Sequence, residues 1–163
     1  MKQYEIELKV LLGSTTDRER FMTNARAKFP EMKQTLDESQ LNHYFTGEVS
    51  TKIADAFEGK ISTERLTELR ALIEKGSDFS IRSRFIAPDR TILVFKVSMG
   101  HGSAVHGAIR EEWEEELPSM SIDELDAILL ATGLIYLSKW SRKRQTFETG
   151  TGIFLCIEQN AGY

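Results

Sequence analysis

Phe79-Ser80-Ile81-Arg82-Ser83-Arg84-Phe85-Ile86, a break at Ala87-Pro88-Asp89-Arg90, then Thr91-Ile92-Leu93-Val94-Phe95-Lys96-Val97-Ser98 is the stretch that decides the fold. Side chains of a strand alternate between two faces. Arg82 and Arg84 therefore oppose Ile81 and Phe85, and Lys96 opposes Phe95 and Val97. Pro followed by Asp at the break is turn chemistry, because proline presets φ and aspartate hydrogen-bonds its own backbone. Two strands, at 79–86 and 91–98, are expected to pair across that turn.

The same alternation recurs on either side. Residues 3–12 set Glu5, Glu7 and Lys9 against Ile6, Leu8 and Val10, and residues 40–46 read as a short strand. Residues 108–117 set Arg110, Glu112 and Glu114 against Ile109 and Trp113. Strands at about 134–147, carrying Arg142 and Arg144, and at 153–159 follow. Between them lie helical patterns. Asp17–Phe29 carries Phe21, Ala25 and Phe29 on one stripe and ends at Pro30. An excursion at 50–76 holds a short helix capped by Ser50, then one with Leu66, Leu69, Leu72 and Ile73 in register and Gly76 as its stop. That excursion reads as a lid or an interface. Ser121 and Glu124 form a capping box ahead of Leu125, Ile128 and Leu129. Met99–Gly107, rich in glycine and histidine, reads as a loop.

The bulk numbers bound the answer. A chain of 163 residues fits a single domain, here spanning 1–163, and 40% hydrophobic with 28% charged residues is the composition of a folded globular protein. The net charge of −4 disfavours non-specific nucleic-acid binding, and no specific nucleic-acid partner is expected. Cys156 is the lone cysteine, which fits a reducing compartment. No stretch approaches the roughly 18 to 20 apolar residues that span a bilayer. No apolar signal region opens the chain. A cytoplasmic protein without membrane contact is the expectation.

Taken one at a time, these strands read as ordinary amphipathic strands with a solvated charged face. Together they say more, because carboxylates and guanidinium groups cluster at strand centres and apolar helices are available to cover the other face. The expected architecture is α+β: an antiparallel β-barrel with a charged interior and helices packed outside. An enclosed cavity bearing both signs needs a ligand or ions to offset its desolvation. A polyanion with a divalent metal meets that need, since paired glutamates offer hard oxygen ligands and arginines bind phosphate oxygens in bidentate fashion.

Glu5-Ile6-Glu7-Leu8-Lys9 is similar to the E-x-E-x-K signature of the CYTH family of triphosphate tunnel metalloenzymes. Tyr44-Phe45, Arg82-Ser83-Arg84, Lys96, then Arg110-Glu111-Glu112-Trp113-Glu114 (similar to the family's R-x-E-x-E) and Arg142-Lys143-Arg144 follow in the family's order. The resemblance runs over almost the whole chain. It implies a triphosphate tunnel with Glu5, Glu7, Glu112 and Glu114 as ligands of Mg²⁺ or Mn²⁺, and Glu158 where the family usually shows an aspartate. It implies phosphate contacts from Lys9, Arg82, Arg84, Lys96, Arg110, Arg142 and Arg144. Lys96 and Tyr44 stand where hydrolytic members carry a lysine and tyrosine thought to help activate the attacking water. The implied activity is metal-dependent hydrolysis of inorganic triphosphate or of a triphosphorylated small molecule. The alternatives are a class IV-type adenylate cyclase making cyclic AMP and pyrophosphate, and a triphosphate- or polyphosphate-binding module without turnover.

One departure stands out. The family continues past its last acidic position into a further strand, whereas this sequence stops at Asn160-Ala161-Gly162-Tyr163. The last strand is then expected to be missing, through truncation, or to come from a neighbouring chain of a homodimer. Among the remaining residues, His101 and His106 read as loop residues, His43 as a half-buried strand histidine, Glu111 and Glu115 as solvated charges, and Trp113 and Trp140 as packing residues.

Overall fold

The computed structural model describes residues 10–98 and 110–162. It divides into two compact units, Met1–Leu36 with Thr146–Cys156, and Asp37–Gln145 with Ile157–Tyr163.

The first unit contains helix α1 (Thr15–Lys28). Ser14 caps it by accepting from the Asp17 amide at 3.1 Å, and Asp17 in turn pairs with Arg20 at 2.8 Å. The expected apolar stripe is largely unburied. Ala25 is its buried member, whereas Phe21 is 36% exposed.

The second unit holds helices α2 (Thr51–Asp55), α3 (Thr63–Lys75) and α4 (Ile122–Ala131). Strands β1 (Lys33–Thr46), β2 (Ser77–Ile86), β3 (Arg90–Ser98), β4 (Arg110–Glu116), β5 (Ile135–Glu148) and β6 (Phe154–Gly162) form one antiparallel sheet in the order β4-β3-β2-β1-β5-β6. Strands β1, β5 and β6 contribute residues to both units.

The apolar parity of these strands builds the core. Phe45, Ile81, Phe95 and Trp113 stand opposite one another across β1 to β4. They pack with Ile53, Ala54, Phe57, Leu66, Leu69, Leu72 and Ile73 from the 50–76 segment and with Leu125 and Leu129 of α4. Burying each such large side chain contributes about 1.5–3 kcal/mol. The 50–76 segment therefore covers the apolar face of the sheet rather than serving as a lid. Its stop at Gly76 has a steric reason. A Cβ there would stand 2.0 Å from Val97 Cγ1 and 2.7 Å from the Leu72 carbonyl oxygen. The capping box of Ser121 and Glu124 forms as expected, and its hydrogen bonds hold the Glu124 carboxyl below its ordinary value.

The expected barrel is corrected in one respect. Among the described residues the sheet is open, with β4 and β6 at its edges, and is not closed on itself. The expected strand at 3–12 falls mostly on residues 1–9, outside the described residues, and residues 10–12 carry no strand. The expected loop at 99–107 lies outside them as well.

Candidate functional site

The charged parity occupies the other face. Tyr44 stands opposite Arg82, Arg82 opposite Val94, and Val94 opposite Glu114. Asn42, Arg84, Ile92 and Glu116 form the next row, and Ser80, Lys96 and Glu112 the row beyond. Residues directly opposite in an antiparallel ladder share a face. The sheet thus gathers Tyr44, Arg82, Arg84, Lys96, Glu112 and Glu114 away from the helices.

Arg82 is the centre of this face, its side chain only 8% exposed. Its Nη1 donates to the Tyr44 hydroxyl oxygen at 3.0 Å and its Nη2 to Glu112 Oε1 at 3.0 Å. The guanidinium carbon lies 5.6 Å from the centre of the Tyr44 ring. Its Nε is buried and meets no acceptor among the described residues, a condition that costs about 1–3 kcal/mol. Glu112 Oε2 takes the Lys96 ammonium at 2.9 Å. Arg84 donates through Nε to Asn42 Oδ1 at 3.2 Å and through Nη1 to Glu114 Oε1 at 2.9 Å.

Titration follows from these contacts. Burial, and then the neighbouring charge of Arg82, hold the Arg84 guanidinium below its ordinary pKa, against the pull of Glu114 and Glu112. For Glu112, burial alone favours the neutral acid. The hydrogen bond and charge of Lys96, then the contact with Glu114 and the charge of Arg82, outweigh it and leave the carboxyl below its usual range.

Of the expected residues, then, six come together. Lys96 and Tyr44 belong to one network but do not touch through it, since Arg82 and Glu112 stand between them. Arg142 and Arg144 lie on β5 and share Glu158 of β6, at 3.5 and 3.6 Å. Glu158 is thereby five strand steps from β4, about 24 Å along the sheet at roughly 4.8 Å per step. It is not grouped with Glu112 and Glu114. Glu5, Glu7 and Lys9 lie outside the described residues. Arg110 is placed by its backbone alone, opposite Ser98.

Among the described residues no three His, Cys, Asp or Glu side chains are grouped to hold a metal ion. Glu112 and Glu114 nevertheless stand two residues apart on one face of β4, which sets two carboxylates on the same side of the sheet. Magnesium commonly takes one or two carboxylates, keeps several waters and completes its shell with substrate phosphates. The pair fits that donor set.

A cleft of about 320 Å³ adjoins the network, lined by Asn42, Tyr44, Ser138, Trp140, Arg142 and Asn160. Trp140, expected as a packing residue, is instead 44% exposed. Trp113 packs as expected, buried against Phe95 with the Arg65 guanidinium 4.5 Å from its ring centre. Glu115, expected as a solvated charge, accepts from Arg65 Nε at 2.6 Å. His43 is turned to the apolar side, where its Nδ1 lies 2.6 Å from Asp126 Oδ2. Sequence reasoning missed Asn42, Asn160 and Asp126. The first two were within reach of the alternation, standing two residues from Tyr44 and from Glu158.

No family model matches the chain, and no curated protein matches it. Among solved structures it is similar to a conserved hypothetical protein from Pyrococcus furiosus, at 14% identity and a TM-score of 0.54. That likeness covers 87% of this chain and 65% of the other. A second similar structure, a protein of Pyrococcus horikoshii, is 13% identical with a TM-score of 0.48, over 85% of this chain and 66% of that one. This chain therefore spans just under two thirds of the length of either. The first likeness is one of fold.

Proposed function

We propose that the charged face binds a triphosphate chain and, with a divalent cation, hydrolyses it. The observation that carries this reading is the buried Nε of Arg82, a cationic donor without an acceptor among the described residues, at the centre of a face that also holds Arg84 and Lys96. Phosphate oxygens supply the missing acceptor, and arginine offers them a planar, always-charged fork. Arg142 and Arg144 extend the same cationic surface on β5. The sequence resemblance to the CYTH family adds Lys9, Arg110, Glu5 and Glu7 to this site.

In this reading Arg82, Arg84 and Lys96 hold the phosphoryl oxygens and neutralise charge as the bond to the leaving phosphate breaks, which is most of what phosphoryl transfer asks of a protein. Glu112 and Glu114 would hold Mg²⁺ or Mn²⁺. The ion would polarise a phosphoryl oxygen and lower the pKa of a bound water. Tyr44, its hydroxyl oxygen accepting from Arg82, and Lys96, on the other side of Glu112, are the groups proposed to orient the attacking water.

The test is product identification with inorganic triphosphate, and separately with ATP, in Mg²⁺ and in Mn²⁺. Orthophosphate released from triphosphate only with metal, and reduced at least a hundredfold in Glu112→Gln, is the expected result. Cyclic AMP and pyrophosphate from ATP would replace hydrolysis by cyclisation. Tight triphosphate binding with no product from either substrate would leave a binding module.

A further inference from the structure

We propose that the cleft between β1, β5 and β6 is the subsite for an aromatic ring attached to the triphosphate, and that this ring presents hydrogen-bond acceptors on its edge. The inference rests on the triphosphate reading above and narrows its substrate from inorganic triphosphate to a nucleoside-type triphosphate.

The cleft has a platform. Trp140 is half-exposed, yet its indole is held: Nε1 donates to Ser138 Oγ at 3.1 Å. An indole anchored through its Nε1 and 44% exposed is a stacking surface for a planar ring, and stacking tolerates any base because each has a π-face.

The polar lining has one sense. Asn42, only 3% exposed, has its carbonyl oxygen taken by Arg84 Nε at 3.2 Å. Asn160 has its carbonyl oxygen taken by Arg142 Nε at 3.2 Å. In each the amide nitrogen is the donor that this contact does not use. Tyr44 accepts from Arg82 at 3.0 Å, so its own proton is likewise available. Two amide N–H₂ groups, a phenol, a guanidinium and the Ser138 hydroxyl, whose oxygen is taken by Trp140, line the cleft, and each has an N–H or O–H to donate. A ligand edge of donors would leave these groups unpaired; an edge of acceptors satisfies them.

The volume of about 320 Å³ sits at the small end of the range for small-molecule sites, about 300–1,000 Å³. It suits one ring system rather than an extended chain. Arg142 links the cleft to the phosphate face, since it lines the cleft and shares Glu158 with Arg144. Among bases, guanine offers adjacent O6 and N7 acceptors and uracil offers two carbonyl oxygens, while adenine places its N6 amino donor against these donors.

The experiment compares inorganic triphosphate, UTP, GTP and ATP by titration calorimetry in chelator, for the wild-type chain and for Trp140→Leu and Trp140→Phe. Trp140 emission is followed in parallel, with circular dichroism as the check that each variant is folded. UTP or GTP is expected to bind about tenfold tighter than inorganic triphosphate, quenching Trp140, with ATP gaining less. Trp140→Leu should remove the surplus and leave inorganic triphosphate binding unchanged, and Trp140→Phe should keep most of it. Inorganic triphosphate binding with no surplus for any nucleotide overturns the subsite alone. Binding by none of the four overturns the triphosphate reading, and the subsite with it.

Discussion

Glu112 answers two cations at once, Arg82 through one oxygen and Lys96 through the other, while Glu114 answers Arg84. These carboxylates occupy the donors that a phosphate would need. In the proposed triphosphate reading, an incoming triphosphate must displace them, and each displaced carboxylate would then be available to a metal ion. Anion and metal would therefore favour each other's binding, by the same factor in both directions. A direct consequence concerns Glu112→Gln. Without metal the variant should bind triphosphate several-fold tighter than the wild type, because the competing charge is gone; calorimetry in chelator measures this. With Mg²⁺ the metal-induced gain in affinity should shrink. No gain in chelator would mean that the carboxylate does not compete. The depressed Glu112 carboxyl gives the sign for pH. A carboxyl lowered on folding contributes stability that is present above its unfolded value and lost as pH falls through the folded one. With its side chain 39% exposed, solvent screening keeps that contribution small.

At the scale of elements, helix α4 is packed on the sheet through Leu125 and Leu129, and one residue adds its buried polar contacts. Asp126, 2% exposed, receives Tyr136 Oη of β5 at 2.7 Å and the hydroxyl of Ser83 on β2, and faces His43 of β1 at 2.6 Å. His43 and Ser83 are paired neighbours, and the residues beside them on the opposite face are Asn42, Tyr44, Arg82 and Arg84. Asp126→Ala removes the carboxylate that meets two buried groups, His43 and Ser83, and the half-exposed Tyr136. It should lower unfolding stability by about 3 kcal/mol, read from urea denaturation, with Asp126→Asn costing less. A loss under 1 kcal/mol would show that water or relaxation replaces the carboxylate.

The elements also show what alternation reveals. Strands β2 and β3 fall within two residues of the expected 79–86 and 91–98, because Ile81, Phe85, Phe95 and Val97 alternate cleanly with charge and the break between them is turn chemistry. β1 begins at Lys33 rather than at 40, since Lys33–Ser39 carries a single apolar residue, Leu36, and gives no period to read. Arg82, Arg84, Lys96, Glu112 and Glu114 share one face for the same reason that their strands were legible, through parity, whereas Tyr44 was singled out only by the family resemblance. The openness of the sheet was not, because closure depends on which strands meet at the edges, and a strand's own pattern is silent about its neighbours. Trp140 was misjudged for a related reason: whether an aromatic on a strand is covered depends on what packs above it.

For the molecule as a whole, the sign of the charge and the sign of the site disagree. The chain carries −4 overall, yet the described charged face sets Arg82, Arg84, Lys96, Arg142 and Arg144 against Glu112, Glu114 and Glu158. If the face binds a triphosphate as proposed, that ligand would be repelled by the molecule from afar and attracted only near the face. Binding would then come from short-range contacts, and long-range steering should work against the on-rate. Salt separates the two contributions. The Debye length falls from about 10 Å at 0.1 M to about 3 Å at 1 M, which screens the distant repulsion first and weakens the exposed contacts more gradually. Triphosphate association rates should therefore rise modestly, or hold, between about 0.02 and 0.1 M NaCl, while dissociation quickens and affinity falls at higher salt. Thermal stability should move little over that range, because the core under the helices is apolar. Stopped-flow quenching of Trp140 at several ionic strengths resolves the rates. An on-rate that drops steeply from the lowest salt would mean that attraction reaches far beyond the face, and that the local charge, rather than the total, governs encounter.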